Sequence, residues 1–539
     1  MVRRCVVLPL LLSSLPVFAK PPRLTLFVAV DSLSSDLLQR TRPRFKSGFA
    51  RLINEGAYFP SVRYETAECV TAVGHATLAT GAWPWRHGIV GNRHLNRATG
   101  KLEAAFLDPA HPALEAPRGA DDGSPSTLLA ETLSDRLRAA TTLKGKSIAI
   151  SGKSRSSVPL AGRLGEAWWF HEQVGKFITG TWYRKEPPGW VKAFNDRHLP
   201  DTYHDKTWTL AEPSKSYSGD DDRPFESDQF GLGRVFPHPL SGGLPTAGPQ
   251  SWGALASTPM MNEVVVEFAK AAIEGEQLGK DDIPDLLSVS FSALDRTYHL
   301  YGPTSWEVQD HLLRLDRALG DLIAAAERAA GRGNVLVILS SDHGGANIPE
   351  EWAALGLPAT RVSPAAIQKG LNEELEKRFG APGLVTAIEE VDVYLDQKAI
   401  EAKKLDGGAL RRAVATSLMR NADVQVAVAR EDVEQLGSVA GLGNALRHAF
   451  HPERSGDVLF VLKPFRVLDS EPLGTSHGTP WSYDSEIPVL LMGRGVRPGV
   501  YPGPAKAIDV APTAALLMEL GAPAMAEGVP LSDALLLSR

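Results

Sequence analysis

Six side chains of this sequence are of the types that bind divalent metal ions. They are three carboxylates and three imidazoles, at four separate places in the chain: Asp31, Asp295, His299, Asp342, His343 and His477. Neutral imidazole and carboxylate oxygen are suitable zinc ligands, and six can serve two ions if an oxygen of a substrate or nucleophile completes the shells. Two metal ions about 3.5–4 Å apart can hold the attacking and leaving oxygens of an in-line displacement. These residue types therefore indicate metal-assisted hydrolysis, provided that the fold brings them together.

Each of these residues also has an ordinary structural explanation. An aspartate and a histidine four residues apart, such as Asp295 and His299, are often a surface pair on a helix. An aspartate that follows a strand, such as Asp31, often caps the next helix. An Asp-His-Gly turn like the one at Asp342 is also common. The functional interpretation therefore depends on how the surrounding elements position the six residues.

Short apolar runs rich in β-branched residues end just before polar or charged residues. Four of them cover residues 24–30, 147–150, 286–291 and 334–339. Continuous apolar runs of this length are typical of strands buried on both faces. Because helical patterns such as residues 306–330 separate them, we predict an α/β fold with a mostly parallel central sheet flanked by helices. Ligands bind outside the carboxyl ends of the strands in such sheets, which is where candidate residues fall.

Two regions interrupt this alternation of strands and helices. Residues of about 156–270 are rich in Trp, Pro, Gly and Asp, and residues of about 347–455 combine helical stretches with a short β-branched run. We interpret both as insertions into one catalytic domain over residues 20–539, the first insertion being part of a cap over the site. The tryptophans of the first insertion are expected in the core of the cap: Trp168, Trp169, Trp182 and Trp190.

Residues 1–19 have the form of a cleaved secretory signal. Arg3 and Arg4 precede an apolar run over residues 5–15, and small residues then stand at positions −3 and −1 before Lys20. The apolar run is shorter than the ~20 residues that a spanning helix needs. We therefore expect a periplasmic or secreted protein without stable membrane insertion after cleavage.

Charge and cysteine content narrow the function classes further. The net charge is −6, without the basic excess that indicates a nucleic-acid partner. Removal of the signal with its two arginines leaves 55 − 63 = −8. Cys5 lies in the signal, so Cys69 has no partner and an internal disulfide is excluded.

Seven short motifs occur in a fixed order along the chain. They are VAVD at 28–31, TAVGHATLATG at 71–81, HGIVGN at 87–92, KSR at 153–155, DRTYH at 295–299, SDHG at 341–344 and HG at 477–478. This ordered set resembles the alkaline phosphatase superfamily, and within it the PafA-type flavobacterial phosphatases, which are related to type I phosphodiesterases and nucleotide pyrophosphatases. The resemblance extends over nearly the whole mature chain and implies the same α/β fold.

The resemblance implies two zinc ions per chain and a threonine nucleophile. One zinc site would use Asp295, His299 and His477, and the other Asp31, Asp342, His343 and the oxygen of Thr71. A threonine hydroxyl is a poor nucleophile at neutral pH, and metal coordination makes its alkoxide available. The stretch after Thr71 is typical of the start of a helix, where a phosphate can bind. A simple N-cap threonine has the same appearance, so the assignment depends on the surrounding motifs.

The resemblance also implies that Asn92, Lys153 and Arg155 contact the non-transferred phosphoryl oxygens. A monoester dianion carries more charge on these oxygens than a diester, so a basic pair favours monoesters. Ser154 departs from many relatives, which have an acidic residue between the lysine and the arginine, and its effect on the pair stays open. The expected activity is that of a phosphomonoesterase with a phospho-threonine intermediate, acting on small-molecule phosphate esters.

Three alternatives stay open, and two histidines are set aside. A phosphodiesterase or nucleotide pyrophosphatase is possible on the same scaffold. A sulfatase or phosphonate hydrolase fits poorly, because Cys69 is followed by Val-Thr-Ala-Val rather than by the x-Pro-x-Arg of the sulfatase branch. A metal-binding module without activity is disfavoured by the complete ligand set. His75 and His87 are expected to be structural.

Overall fold

The computed structural model describes residues 20–119, 123–438 and 441–536. The predicted signal at residues 1–19 lies outside these ranges. Within them, no helix is both long enough and apolar enough to cross a membrane.

The strands and helices of the described residues alternate along much of the chain. The strands are β1 (Leu24–Val30), β2 (Ala57–Arg63), β3 (Arg93–Asn96), β4 (Lys101–Ala104), β5 (Ser147–Ser151), β6 (Glu166–His171), β7 (Lys176–Ile178), β8 (Thr207–Trp208), β9 (His238–Pro239), β10 (Asp285–Phe291), β11 (Val335–Ser340), β12 (Thr360–Val362), β13 (Val385–Glu389), β14 (Asp392–Leu395), β15 (Val424–Ala429), β16 (Val458–Leu462), β17 (Arg466–Leu468), β18 (Glu486–Gly493), β19 (Gly499–Val500) and β20 (Ala505–Lys506). The α-helices are α1 (Ser35–Thr41), α2 (Gly48–Glu55), α3 (Thr71–Thr80), α4 (Pro84–His87), α5 (Leu133–Ala140), α6 (Ser154–Ala161), α7 (Gly189–Asn195), α8 (Pro249–Ala256), α9 (Met260–Gly275), α10 (Ala293–Tyr301), α11 (Trp306–Ala330), α12 (Pro349–Ala354), α13 (Pro364–Phe379), α14 (Gln397–Ala402), α15 (Gly407–Arg420), α16 (Leu442–Ala449), α17 (Ser482–Ser485) and α18 (Val510–Leu517).

The main sheet has ten strands, and its centre is parallel. The strands β6, β5, β10, β1 and β11 are neighbours in that order and run in the same direction. The strand β18 joins β11 antiparallel and continues the sheet to β2, with which β19 and β20 both pair. This arrangement confirms the predicted α/β fold with a mostly parallel central sheet.

The main sheet is covered on both faces, as its continuous apolar strands predict. In β1, Leu26 and Val28 pack into a core that includes α9 and α11. The alternate residues Phe27 and Ala29 pack into a second core on the other face, with α3, α6 and α18. All four side chains are buried. The sheet therefore holds its carboxyl edge between two packed layers, which gives a rigid platform for the loops there.

The region predicted as a cap begins inside the main sheet. Its first part forms β6 and β7, and β6 pairs parallel with β5. Trp168 and Trp169, expected in the core of a cap, are instead buried on opposite faces of β6 in the two main cores. The correction has a simple cause, because successive side chains of a strand point to opposite faces.

The second interrupting region forms a small sheet of its own. Its strands run in the order β13, β14, β16 and β15, all antiparallel, and pack with α13 and α15 on a separate core. The strand β16 lies after residue 455. The boundaries of the two insertions, at about 156–270 and about 347–455, remain predictions.

Candidate metal centre and nucleophile

The candidate residues meet at the carboxyl edge of the main sheet. Asp31 directly follows β1, and Asp295 lies in the first turn of α10, just after β10. Asp342 and His343 follow β11. The pairings of β1 with β10 and β11 end together, so these three loops emerge side by side. His477 comes from the loop before β18, whose antiparallel direction makes it begin at the same edge.

Two clusters of candidate ligand atoms result, and His343 belongs to both. Asp31, Asp342 and His343 form the first cluster, and Asp295, His343 and His477 form the second. Within each cluster the ligand atoms lie within 4.8 Å of one another. The resemblance placed His343 only in the site with Asp31 and Asp342. Its position between the two clusters is a property that only the structure reveals.

The first cluster contains buried polar atoms without hydrogen-bond partners. Nε2 of His343 lies 3.3 Å from Oδ1 of Asp31 and 3.3 Å from Oδ2 of Asp342. None of these three atoms has a hydrogen bond, and all three side chains are completely buried. Buried polar atoms are nearly always satisfied, and leaving them so is costly. A divalent cation would satisfy all three atoms, so these residues fit a metal ion.

The second cluster surrounds Oδ1 of Asp295. This oxygen lies 3.3 Å from Nε2 of His299 and 3.5 Å from Nε2 of His477. The rings of His299 and His477 are 5.1 Å apart between centroids. The resemblance implies that one zinc site uses Asp295, His299 and His477, and these residues are thus neighbours. In the tighter group, however, His343 rather than His299 accompanies Asp295 and His477.

Backbone carbonyls fix the orientation of all three imidazoles. The Nδ1 atoms of His299, His343 and His477 lie 2.7, 2.7 and 3.0 Å from the carbonyl oxygens of Thr475, Gly344 and Cys69, respectively. A carbonyl only accepts, so each Nδ1 carries the proton. Each Nε2 therefore faces the clusters and, when the imidazole is neutral, presents its lone pair to them, as a metal ligand must. Cys69 thus contributes its carbonyl oxygen, while burial raises the pKa of its thiol well above the usual range.

Ser32 links the two clusters and was missed by sequence reasoning. Its hydroxyl donates to Oδ1 of Asp295 at 2.7 Å, and its backbone N–H donates to Oδ1 of Asp342 at 3.2 Å. Its φ of 64° is unusual for a residue other than glycine. A serine after a strand-end aspartate has no distinguishing signal, because it reads as ordinary turn sequence.

Lys153 forms ion pairs with one carboxylate of each cluster. Its Nζ lies 2.6 Å from Oδ2 of Asp31 and 2.5 Å from Oδ2 of Asp295. Burial would raise the pKa of both carboxyls, but the Lys153 ammonium and neighbouring histidines hold them well below the usual range. The predicted contact of Lys153 with phosphoryl oxygens stays a prediction, and its position here is between the carboxylates.

The pKa values of Asp342, His343 and His477 are also shifted, by burial and by neighbouring charges. Burial and the charge of Asp31 raise the pKa of Asp342 well above its usual range. Burial would lower the pKa of His343, but the adjacent Asp342 and Asp31 raise it to about 9. Burial and the charge of His343 lower the pKa of His477 to about 4. Metal binding requires neutral imidazole, so binding at the first cluster would release a proton from His343.

Thr71 is the first residue of α3 and lies near the clusters of candidate ligand residues. It is almost fully buried, and the preceding Val70 is extended, so the helix begins at Thr71. The helix approaches the residues after β11 so closely that a Cβ atom at Gly74 would clash with the carbonyl oxygen of Asp342. Gly74 therefore permits the contact that brings the helix N-terminus to the clusters.

Asn92 is held against the first turn of α3. Its Oδ1 accepts the backbone N–H of Ala72 at 3.0 Å. That bond turns the oxygen of the amide to the helix and leaves the NH2 group as a donor. Asn92 also lines a cavity at this centre. Arg155 lies in the first turn of α6, lines the same cavity, and has a buried Nε without a hydrogen bond.

Two cavities open onto this centre. The first has a volume of about 280 Å³ and is lined by side chains of the second insertion and by six candidate site residues: Thr71, Asn92, Arg155, Asp295, His299 and His477. The other, of about 340 Å³, joins Lys153 and Arg155 to side chains of the first interrupting region such as Phe230. Both interrupting regions therefore line the site, whereas sequence reasoning assigned a covering role to the first alone.

The two histidines set aside as structural make well-defined internal contacts. Nε2 of His75 lies 2.8 Å from the hydroxyl of Ser290, and its Nδ1 lies 2.9 Å from the carbonyl oxygen of Thr71. The same Nδ1 is 3.2 Å from Oδ2 of Asp342. His87 contacts the hydroxyl of Thr77 at 3.2 Å. His75 thus orients candidate site residues without belonging to either cluster.

Comparison with known proteins adds an independent line of evidence. The family model described as type I phosphodiesterase / nucleotide pyrophosphatase matches residues 25–477. The chain is 32% identical over 517 residues to alkaline phosphatase PafA from Elizabethkingia meningoseptica, covering 95% of this chain and 94% of the relative. It is 31% identical over 522 residues to alkaline phosphatase PhoV from Synechococcus elongatus, covering 95% and 93%.

Crystal structures of PafA also superpose closely on this chain. The crystal structure of wild-type PafA superposes with a TM-score of 0.90 at 31% identity, covering 96% of this chain and 99% of the other. A crystal structure of a PafA variant, with a TM-score of 0.91, has one threonine, one asparagine, one lysine and one arginine replaced. Those four residues have the same order and nearly the same spacing as Thr71, Asn92, Lys153 and Arg155. The resemblance found from the sequence motifs is confirmed.

Proposed function

This chain belongs to the type I phosphodiesterase / nucleotide pyrophosphatase family and is an alkaline phosphatase-like phosphoric monoester hydrolase, and we propose that it transfers the phosphoryl group to Thr71 at a centre that holds two zinc ions. The observation that carries this proposal is the pair of ligand clusters joined by His343, with three buried ligand atoms lacking hydrogen bonds. Thr71 lines the same cavity as Asp295 and His477 of the second cluster.

The ligand set supports zinc as the cofactor. Its donor atoms are imidazole nitrogens and carboxylate oxygens, which suit zinc in catalytic sites. When bound, two such ions lower the pKa of a coordinated hydroxyl and stabilise charge on the leaving oxygen.

The chain's own residues then account for binding and phosphoryl transfer. The oxygen of Thr71 attacks phosphorus, a bond from phosphorus to threonine forms, and the bond to the leaving alcohol breaks. The N–H groups at the start of α3, other than that of Ala72, and the Asn92 amide NH2 donate to the non-transferred oxygens. Arg155 adds a positive charge beside them. Water then cleaves the phospho-threonine and restores the hydroxyl.

The basic residues favour monoesters over diesters. A monoester dianion gains more from Lys153 and Arg155 than a diester, because it carries one more charge on the oxygens that they would contact. The family description includes phosphodiesterases, which makes diester hydrolysis the second candidate. Measurement of kcat/KM for a monoester and a diester with the same leaving group separates the two. The monoester is expected to be the better substrate, and a clear preference for the diester would favour the second candidate.

We also propose that the protein is exported to the periplasm or the medium. The support is the signal-like pattern of residues 1–19. The N-terminal sequence of protein recovered from outside the cytoplasm is expected to begin at Lys20. Recovery of the intact N-terminus from the cytoplasm would contradict the export.

A further inference from the structure

A hairpin of the second insertion reaches into the active-site cavity. The strands β13 and β14 are joined by a tight turn, and Glu389, Glu390 and Val391 at its tip all line the cavity. Glu390 has a φ of 54°, a conformation that favours glycine. Strained positions of this kind tend to occur where the side chain has a specific task. The conformation of Glu390 therefore directs attention to its carboxylate.

The carboxylate of Glu390 binds the backbone of Asn92. The N–H of Asn92 lies 3.2 Å from one carboxylate oxygen of Glu390 and 3.3 Å from the other. A side chain at Gly91 would lie 2.2 Å from Oε2 of Glu390, so the glycine leaves the space that this contact needs. The two residues that meet here belong to different parts of the fold, 298 positions apart in sequence.

Asn92 is thereby anchored at three points. Glu390 accepts its backbone N–H, the N–H of Ala105 donates to its carbonyl oxygen at 2.9 Å, and its side-chain oxygen accepts the N–H of Ala72. Resting on the proposed function, we infer that Glu390 is a positioning residue, which holds Asn92 so that its amide NH2 meets a phosphoryl oxygen of the substrate. It is the one anchor that the second insertion supplies.

Glu68 ties the same hairpin tip to the nucleophile segment. Its Oε2 accepts the backbone N–H of Val391 at 3.3 Å, and it lies three residues before Thr71 in sequence. Burial and the adjacent Glu390 raise the pKa of Glu68 well above its usual range. The hairpin tip therefore connects Asn92 and the segment before Thr71 as one unit.

A double-mutant cycle tests whether Glu390 acts through Asn92. Glu390→Gly removes the carboxylate and suits the positive φ, so the backbone of the turn is retained. We expect it to reduce kcat/KM for a monoester about tenfold, roughly the effect of losing one hydrogen bond to a buried acceptor. In an Asn92→Ala background, the same substitution is expected to cost about twofold or less, because its target is already absent. Glu390→Gln keeps an acceptor oxygen and should restore most of the activity.

Asp316→Ala is the matched control for a structural role. Asp316 is buried and accepts backbone N–H groups of Lys46, Ser47 and Phe49. Its replacement removes a comparable carboxylate anchor elsewhere, so any loss that it causes should be equal with and without Asn92. Zinc content and thermal unfolding of every variant establish that it is folded and loaded. Should Glu390→Gly fail to fold, Glu390→Ala in the same two backgrounds provides the second measurement.

The outcomes distinguish this inference from the proposed function. Equal losses for Glu390→Gly in the two backgrounds would overturn the inference and leave the proposed function in place. An Asn92→Ala variant with unchanged monoester turnover would refute the role of Asn92 in the proposed function, and the inference with it. A loss in the wild-type background that disappears without Asn92, and is rescued by Glu390→Gln, supports it.

Discussion

The imidazole rings of His343 and His477 stack with 3.7 Å between their centroids. His343 follows β11 and His477 precedes β18, so the contact joins two antiparallel neighbours at one edge of the main sheet. Because His343 also borders Asp31 and Asp342, this stacking turns two ligand clusters into one continuous centre. We therefore expect the zinc content of the two proposed metal sites to depend differently on different histidines.

Loss of His343 should affect both metal sites, and loss of His299 only one. His343→Ala removes the lone pair that would bind one ion and the ring that stacks on His477 of the other cluster, so zinc content is expected to fall below one ion per chain. His299→Ala removes one of the three ligands that the resemblance implies for the Asp295 site and leaves the first cluster complete, so about one zinc per chain should be retained. Metal analysis after dialysis measures both, and equal zinc content in the two variants would contradict the central position of His343.

Replacement of Thr71 should separate metal binding from turnover. Thr71→Ala removes the nucleophile but none of the six protein ligands, so zinc is retained while phosphate release falls at least about a thousandfold. Thr71→Ser keeps a hydroxyl and is expected to retain part of the activity. Phosphate release and zinc content measured together give the answer, and a Thr71→Ala enzyme with normal turnover would refute the mechanism.

Lys153 and Arg155 should differ in their effects, although they are two residues apart. Lys153→Ala leaves Asp31 and Asp295 buried without their common counter-ion, which is expected to cost the metal-free protein roughly 3 kcal/mol of unfolding free energy. Arg155→Ala should change that free energy little. Denaturant unfolding of chelator-treated protein measures both, and equal effects of the two variants would contradict the ion pairs of Lys153.

The double variant tests the basis of substrate choice. Lys153→Ala combined with Arg155→Ala is expected to reduce kcat/KM for a monoester by about a hundredfold and that for a diester by much less. The reason is the additional charge on the monoester oxygens. Parallel assays with one leaving group measure the ratio. Equal losses for the two substrates would remove the argument for monoester preference.

A buried carboxyl that belongs to neither ligand cluster should make stability depend on pH. Glu226 is fully buried with no hydrogen bond to either carboxylate oxygen, and burial with the nearby Glu307 raises its pKa to about 9. The unfolded chain ionises this group near its ordinary pKa, so its contribution to stability is lost as pH rises from about 4.5 to about 9.

Glu226→Gln should remove much of that dependence. Relative to the wild type, the variant is expected to gain more than about 1.4 kcal/mol of unfolding free energy between pH 5 and pH 8.5, the equivalent of one pKa unit. Denaturant unfolding at the two pH values measures the difference. An unchanged pH dependence would show that Glu226 is not the group responsible.

The main sheet and the position of the candidate ligand residues at its carboxyl edge could be predicted from sequence because each depends on local signals. A buried parallel strand requires a continuous apolar run, and each ligand follows such a run or belongs to a short motif. Asp31 after β1 and Asp342 after β11 are examples. The sequence also placed Thr71 at the start of a helix, where α3 begins, whereas its assignment as the nucleophile depended on the surrounding motifs.

Other parts of the site depend on contacts that no local pattern records. Ser32 looks like any turn serine, and its link to Asp295 exists only after β1 and β10 pair. Glu390 meets Asn92 across 298 residues, through a hairpin whose placement is set by the packing of a separate small sheet. Trp168 was assigned to a cap because its region, residues of about 156–270, is rich in Trp, Pro, Gly and Asp and has weak periodicity.

The most direct test of the two-zinc centre is a zinc titration of chelator-treated protein, with phosphate release from a monoester followed at each addition. The metal-free protein is expected to be inactive, and activity should return as zinc reaches two ions per chain, with no gain beyond that ratio. Undiminished hydrolysis by protein shown to be free of metal would contradict the account.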